Sequence, residues 1–282
     1  MQYSLNCKGT LVNISQPVVM GIINATPDSF YAGSQVSTVQ AAVAQATLML
    51  QQGATMVDVG GQTSKPGSQP ISTQQEIDRV VPVIAAIKAQ FPEAILSIDT
   101  YRATVAAEAI AAGASIVNDI SGGLLDADML TTVAALKVPY IAMHMQGNPS
   151  TMQQNPTYQN IVTELLEFFA DRLAVYERLG ITDVVLDVGF GFGKTVEHNY
   201  QLANQFSCFA ALHKPLLAGV SRKSMLYKPL QTTPENSLHA TTAMHLFLLQ
   251  QGAHILRVHD VEPAVHTIKI WEQLQKNRAV QH

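Results

Sequence analysis

Residues 94–121 read "AILSIDTYRATVAAEAIAAGASIVNDIS" and contain one complete strand–helix–strand unit. The run "AILSIDT" is short and continuously apolar, which is typical of a strand buried on both faces. The alanine-rich segment that follows has helical spacing and stops at Gly113, a residue type that commonly ends helices. "SIVNDIS" then starts the next apolar run. A short turn between a helix and a strand predicts parallel strands joined by a right-handed crossover.

The same unit recurs along the whole chain. Helical segments that stop at Gly53, Gly113, Gly180 and Gly252 lie between short apolar runs. The eight runs are "PVVMGIIN" (17–24), "TMVDVGG" (55–61), "AILSIDT" (94–100), "SIVNDIS" (115–121), "VPYIAMHM" (138–145), "DVVLDVG" (183–189), "KPLLAGVS" (214–221) and "AHILRVHD" (253–260). Eight units in roughly 250 residues predict an α/β fold, a single (β/α)8 TIM barrel. A doubly wound parallel sheet is the alternative.

We find no linker or low-complexity tract, so residues 1–282 are predicted to form one domain. Residues 1–16 precede the first barrel strand and are expected to form a short N-terminal extension that caps the barrel from below. Residues 276–282 are expected to be a flexible tail.

Composition limits the classes of function. Hydrophobic residues make up 47% of the 282 residues and charged residues only 13%, against about 25% charged residues in ordinary proteins. The net charge of −4 argues against nucleic-acid binding, because no basic excess displaces counterions. Cys7 and Cys208 form no CxxC pair and suggest a reducing compartment. Since no apolar run approaches 18 residues and no signal peptide is evident, we expect a cytoplasmic protein without a membrane span.

Polar residues lie where the predicted strands end. In a barrel these positions open onto one mouth, where active sites are built. The acceptors and donors among them suit a flat ligand rich in ring nitrogens and amino groups. The positions are Asn24, Asp99, Asn118, His144, Asp187, Ser221 to Lys223, Arg257 and His259.

Each of these positions also has a purely structural interpretation. Asp99 with Thr100 could cap the next helix, and Asn118 could satisfy backbone groups. "RVHD" (257–260) could be a surface salt-bridge cluster. "VSRKSML" (220–226) places two basic residues at a predicted helix start, which fits either an anion site or an exposed basic turn.

The stretch "LDVGFGFGKT" (186–195) ends like a phosphate-binding P-loop. The Walker A pattern requires glycine five residues before Gly193, and that position holds Val188. The glycines therefore indicate a tight turn after Asp187 rather than a nucleotide site.

Taken together, the motifs resemble those of the dihydropteroate synthase family. They are "MGIINATPDSF", "DVGGQTSKPG", "SIDTYRATVAAEAIAAGASIVNDISGG", "MHMQGNPSTMQ", "LDVGFGFGKT", "GVSRKS" and "RVHDV". The resemblance runs from Val18 to Trp271, and "NATPDSF" and "SRKS" are its most diagnostic parts.

The resemblance implies a transferase of folate biosynthesis on a TIM barrel, in the class of enzymes that sulfonamides target. Members join 7,8-dihydropterin-6-ylmethyl diphosphate to 4-aminobenzoate and release diphosphate. The resemblance further implies an SN1-like mechanism, Mg²⁺ bound with the diphosphate, and a homodimer without nucleic-acid or membrane partners.

The resemblance also implies a role for each matching residue. Lys223, Arg257, His259 and Lys65 are implied to be catalytic. The pterin is implied to bind Asp99, Asn118, Asp187, Lys223, Phe192 and Met143. The diphosphate is implied to bind Asn24, Lys65, Arg257 and His259, with Asn24 also meeting the metal. The 4-aminobenzoate is implied to bind Phe30, Ser64, Pro66 and Ser224.

The chain departs from the family pattern in its first two loops and in one turn. Ala32 and Gln62 stand where acidic residues are usual, Lys65 replaces an arginine, and Val188 replaces a proline. Lys65 keeps the charge of the usual arginine but loses its bidentate fork. Two rival functions are a barrel of the methyltetrahydrofolate:corrinoid methyltransferase type and a non-catalytic pterin-binding paralogue.

Overall fold

The chain forms a closed barrel of eight parallel strands surrounded by helices, preceded by a two-stranded hairpin. The computed structural model describes residues 3–26, 35–62, 70–149 and 151–277. The strands are β1 (Ser4–Cys7), β2 (Thr10–Asn13), β3 (Val18–Asn24), β4 (Met56–Gly60), β5 (Ile95–Asp99), β6 (Ile116–Asp119), β7 (Tyr140–Met143), β8 (Val184–Asp187), β9 (Leu216–Ala218) and β10 (Ile255–Val258). The helices are α1 (Gln35–Gln51), α2 (Thr73–Gln90), α3 (Ala103–Ala111), α4 (Met129–Leu136), α5 (Ile161–Arg178), α6 (Val196–Asn204), α7 (Ser224–Tyr227), α8 (Leu238–Gln250) and α9 (Val261–Lys276), with a 3-10 helix at Phe206–Leu212.

The strands follow chain order around the barrel, and β10 pairs with β3 to close it. Each of the eight barrel strands lies within one of the eight predicted apolar runs, so the predicted TIM barrel is confirmed and the doubly wound sheet is excluded. The four helices predicted to stop at glycine end two residues before Gly53, Gly113, Gly180 and Gly252. Of the tail expected at 276–282, residues 278–282 lie outside the described part of the chain.

The amino end of the barrel is filled by an apolar layer, to which every strand contributes one inward side chain. The hairpin β1–β2 lies below this layer and adds Leu5, Cys7, Val12 and Ile14 to the same cluster. The layer consists of Met20, Met56, Ile95, Ile116, Ile141, Val185, Leu217 and Ile255. Because this end is closed by apolar side chains, chemistry is confined to the opposite end.

Two residues further along each barrel strand, or just past its end in β9, roughly 7 Å towards the carboxyl end, most of the inward positions become polar. Side chains alternate between the two faces of a strand, so these residues also face the interior. We call them the middle layer, and they are Ile22, Asp58, Ser97, Asn118, Met143, Asp187, Gly219 and Arg257. The sequence therefore places a polar layer directly above an apolar floor.

The outer faces of the strands pack against the helices in a second, larger apolar cluster. Over the ranges described, no helix combines the length and the apolar character that a membrane span requires.

We predict that the hairpin stabilises the barrel from below without taking part in chemistry. Replacing Leu5, which is 2% exposed, by alanine should lower the free energy of unfolding by about 2–5 kcal/mol, because it leaves a cavity under the floor. Leu11→Ala is the matched control, since Leu11 lies on the same hairpin but is 71% exposed. Urea unfolding measures both, and equal effects would contradict the assignment of the hairpin to the core.

Candidate active site

Arg257 connects two carboxylates across the mouth of the barrel. Its Nε donates to Asp58 Oδ2 at 2.7 Å and its Nη2 donates to Asp99 Oδ2 at 2.7 Å. These residues come from the last strand and from two neighbouring strands, β4 and β5, which barrel closure brings together. Asp58 is fully buried, so the arginine must neutralise it within the protein.

Asp58 has a second partner in the same layer. Its Oδ2 also accepts a hydrogen bond from Asn118 Nδ2 at 2.9 Å. Among the described residues, Asp58 Oδ1 and the hydroxyl of Ser97 are buried without a partner. Since Ser97 is the register partner of Asp58 on β5, the two unpaired oxygens belong to the same level of the barrel. Buried polar atoms without a protein partner are commonly satisfied by ordered water.

Asp187 and Lys223 form the other side of the mouth. Asp187 Oδ1 accepts from the Gly189 amide at 2.8 Å, which folds the loop after β8 back over the strand end. Lys223 Nζ donates to the Phe190 carbonyl and lies 4.6 Å from the centre of the Phe192 ring. Lys223 therefore lies against the loop whose glycines follow Asp187.

An apolar wall borders the polar side chains. Met143 and Phe192 pack together with Ile120 and Met152 in a small cluster that is separate from the main core. A polar floor with one apolar wall is the arrangement that a flat, polar heterocycle requires.

Burial moves the pKa values of Asp99, Asp187 and Lys223 toward neutrality. Burial raises the pKa of Asp99 to about 7, with Arg257 opposing the shift and Asp58 adding to it. Burial also raises the pKa of Asp187, opposed by Lys223. Burial lowers the pKa of Lys223 to about 8, opposed by Asp187. Groups with pKa values displaced in this way by burial and by specific partners are typical of functional sites.

The loop after β9 is tied to the end of β10 by two neighbouring contacts. The Ser221 hydroxyl lies 3.1 Å from His259 Nδ1, and Arg222 binds both oxygens of Asp260 at 2.6 and 3.0 Å. The expectation of a salt-bridge cluster in "RVHD" therefore holds for Asp260, whereas Arg257 faces the interior. The predicted helix start in "VSRKSML" is α7, a single turn that begins at Ser224.

The capping interpretation of Asp99 is wrong. The first helical amide of α3, from Ala103, donates to Asp126 at 2.8 Å, and Thr100 accepts from Arg102. Asn118 satisfies a carboxylate rather than backbone groups.

The placement of His144 at the mouth is also wrong. Met143 takes the inward position at the end of β7, so the His144 ring turns outward and packs edge-on against Phe168 of α5 at 4.8 Å. His144 Nδ1 lies 3.1 Å from the buried Nζ of Lys194, which also donates to the His144 and Phe192 carbonyls. Lys194 thus connects the loop after β8 to the end of β7.

The structure brings most of the expected residues together at one end of the barrel. Asn24 is half-buried at the end of β3, and Arg257 and His259 lie at the end of β10. Phe30, Ser64, Lys65 and Pro66, as well as Ala32, fall outside the described residues. Gln62 is described, and its amide lies 3.5 Å from the Tyr101 hydroxyl.

The sequence interpretation missed Asp58. A signal was present, because a carboxylate in the middle of the apolar run "TMVDVGG" is unusual in a strand buried on both faces. In the sequence, Lys194 belongs only to a P-loop-like pattern. Its contacts with His144 join two segments that are far apart in the chain, so the sequence alone does not predict them.

Known proteins place this barrel in a family. The family described as "Pterin binding enzyme" matches residues 20–259. The dihydropteroate synthase of Escherichia coli (strain K12) is 41% identical over 270 residues, which cover 95% of each chain. This chain belongs to the dihydropteroate synthase family. Its members are pterin-binding transferases of folate synthesis.

Solved structures of family members agree over the whole length. The Xanthomonas albilineans dihydropteroate synthase with 4-aminobenzoic acid is 37% identical, has a TM-score of 0.92 and covers 100% of both chains. The same enzyme in complex with 7,8-dihydropteroate is 36% identical with a TM-score of 0.88, covering 99% of this chain and 100% of the other.

We predict that Gly189 is required for the turn above Asp187. Its φ is +69°, and a Cβ there would lie 2.0 Å from the His144 carbonyl oxygen. Gly189→Ala should therefore reduce the free energy of unfolding on the order of 3–5 kcal/mol and weaken pterin binding. Gly180→Ala is the control, because Gly180 has φ +76° but no atom within 4 Å of that position. The Gly180→Ala variant should lose only about 1–2 kcal/mol of unfolding free energy, as measured by urea unfolding. Similar losses in the two variants would refute a role for the close approach of Gly189 to the His144 carbonyl.

Proposed function

We propose that the mouth of the barrel is the active site for condensing 7,8-dihydropterin-6-ylmethyl diphosphate with 4-aminobenzoate. The products are 7,8-dihydropteroate and diphosphate. The observation that carries this proposal is that buried hydrogen-bond acceptors lie opposite cationic side chains above an apolar floor, beside the wall formed by Met143 and Phe192. Family membership supports the same reaction.

The pterin fits between the two sides of the mouth. Asp187 would accept from the pyrimidine edge, and Lys223 would donate to the ring carbonyl. Asp99 and Asn118 would bind the opposite edge, while Phe192 and Met143 cover the faces of the ring. Asn118 is well placed for this, because Asp58 holds only its Nδ2 and leaves Oδ1 for the ligand.

The diphosphate would lie at the outer rim, against Arg257, His259 and Asn24, joined by Lys65. Arginine has five N–H donors, and the bonds to Asp58 and Asp99 use two of them. The remaining donors can bind phosphate oxygens. Ser224 at the start of α7 would meet the carboxylate of 4-aminobenzoate, with Phe30, Ser64 and Pro66 around its ring.

The residues present fit a magnesium ion only if the ion arrives with the substrate. Within the described part of the chain, no three His, Cys, Asp or Glu side chains lie close enough to hold a metal. Asn24 would supply one oxygen ligand, and Mg²⁺ often combines one or two protein ligands with substrate phosphates and water. When bound, the ion would neutralise diphosphate charge.

The reaction then follows an SN1-like course. The C9–O bond breaks first, and its electron pair leaves with the diphosphate toward Arg257, His259 and Lys65. Electron density from the dihydropterin ring stabilises the methylene cation, which the protein shields from water. The neutral aromatic amine attacks this carbon, forms the C–N bond and releases a proton. Stabilising the departing negative charge is the main contribution of the protein.

We predict that the purified chain forms dihydropteroate from the two substrates with Mg²⁺, and that Asp187→Asn weakens pterin affinity on the order of 10- to 100-fold. The reason is the loss of a charged hydrogen bond, about 1.5–3 kcal/mol. Asp183→Asn is the control, because Asp183 lies just before the same strand at the amino end and binds the Asn6 amide. Calorimetry measures affinity and a coupled assay measures turnover. Pterin binding without turnover would support the non-catalytic paralogue instead.

We also infer that the enzyme is a cytoplasmic homodimer. Both cysteines are free thiols, which suits a reducing compartment. Ile270 and Leu274 lie one turn apart on α9 and are 57% and 45% exposed. Apolar side chains exposed side by side favour contact with a second copy, and α9 packs beside the apolar helix α8.

The double substitution Ile270→Asp/Leu274→Asp should convert the dimer to a monomer in sedimentation velocity, because it buries two charges in the contact. Leu48→Asp on α1, where Leu48 is 53% exposed, should leave the dimer intact. A dimer that survives the double substitution would place the contact elsewhere.

A further inference from the structure

Asp58 differs from the other charged residues of the mouth because its bonds go to two residues expected to touch the substrate. One oxygen, Oδ2, accepts from Arg257 at 2.7 Å and from Asn118 at 2.9 Å. Asp58 itself is fully buried in the middle layer. Because it is buried and bonded to Arg257 and Asn118, it would act on the pterin and diphosphate through these two residues.

We propose that Asp58 is a positioning residue of the condensation, acting through Arg257 and Asn118. This inference rests on the proposed function of the mouth. Among the described residues, Arg257 has one other side-chain partner, Asp99 at the same distance of 2.7 Å, and Asn118 has no further side-chain bond.

The orientation of the Asn118 amide follows from Asp58. An ionised carboxylate can only accept hydrogen bonds, so it requires the nitrogen of Asn118 on its side. The carbonyl oxygen of Asn118 is thereby directed to the opposite side. Without Asp58 the amide could rotate and present a donor where the pterin needs an acceptor.

The orientation of Arg257 depends on having two carboxylates. Asp58 holds Nε and Asp99 holds Nη2, which fixes the guanidinium plane across strands β4, β5 and β10. A single counter-ion would neutralise Arg257 equally well. The second carboxylate costs desolvation, and fixing the plane explains why it is present.

The same arrangement couples Asp58 to the protonation of Asp99. Asp58 raises the pKa of Asp99, which is about 7, while Arg257 lowers it. The charged groups acting on Asp99 are Arg257, Asp58, Glu76, Asp119 and Lys223. Neutralising Asp58 removes one of the charges that raise the pKa of Asp99. It also leaves Asp99 as the single carboxylate partner of Arg257, so the pKa of Asp99 should fall. Activity that requires ionised Asp99 would then persist to lower pH.

The deciding experiment measures kcat and KM from pH 5 to 9 for the wild type, Asp58→Asn and Ser97→Ala. Asp58→Asn should lose kcat/KM on the order of 10- to 100-fold, with the acidic limb of its profile shifted to lower pH. Ser97→Ala changes the register partner at the same depth, which bonds to neither Arg257 nor Asn118, and should keep the wild-type profile. A purely structural role for Asp58 would lower the amount of folded enzyme without moving the limb.

The charge-transposed variant Asp58→Ser/Ser97→Asp provides a second test. It keeps the charge of the layer but moves the carboxylate to the next strand, and it should remain as impaired as Asp58→Asn. Wild-type activity of Asp58→Asn or of Asp58→Ser/Ser97→Asp would overturn the positioning role. An unshifted acidic limb in the pH profile of a folded Asp58→Asn enzyme would also overturn it. Failure of both variants to fold would overturn it too and assign Asp58 to stability. An inactive wild type would instead refute the proposed function.

Discussion

A charged side chain inside this barrel must be neutralised by another side chain inside the barrel. Asp58 is fully buried, and Arg257 reaches it from a strand at the other end of the chain. Removing either would leave an uncompensated buried charge, which proteins tolerate poorly. The requirement links the closing strand to β4 and β5, and it fixes the positions of Asp99 and Asn118. The geometry of the mouth therefore follows from charge compensation as much as from the shape of the barrel.

The floor makes this arrangement possible. Eight apolar side chains, one from each strand, exclude water below the charged layer. The field of each charge is then weakly screened from beneath, so neighbouring groups alter the protonation of one another strongly. The displaced pKa values of Asp99 and Lys223 express this setting.

The fold could be predicted from sequence because strands buried on both faces are continuously apolar and helices stop at glycine. The continuous apolar character of these strands also concealed Asp58, because it does not show which residues of a run face inward. Side chains alternate between the two faces of a strand, so if Gly60 at the end of β4 faces the interior, Asp58 must face it as well. His144 was assigned to the wrong side for a related reason: where a strand ends, one residue decides the direction of the side chain. The contacts of Lys194, and of Arg222 with Asp260, join separate loops, and no local pattern specifies them.

The hairpin below the floor has a consequence for how the molecule is made. Val18 bonds to His254, and the Tyr3 ring packs against the same histidine, so the hairpin region docks beside the last strand of the barrel. Such non-local closure slows folding. Until β10 is synthesised, the floor residues of the open sheet remain accessible to water and to chaperones. The barrel is therefore most vulnerable to aggregation before its closing strand has been made.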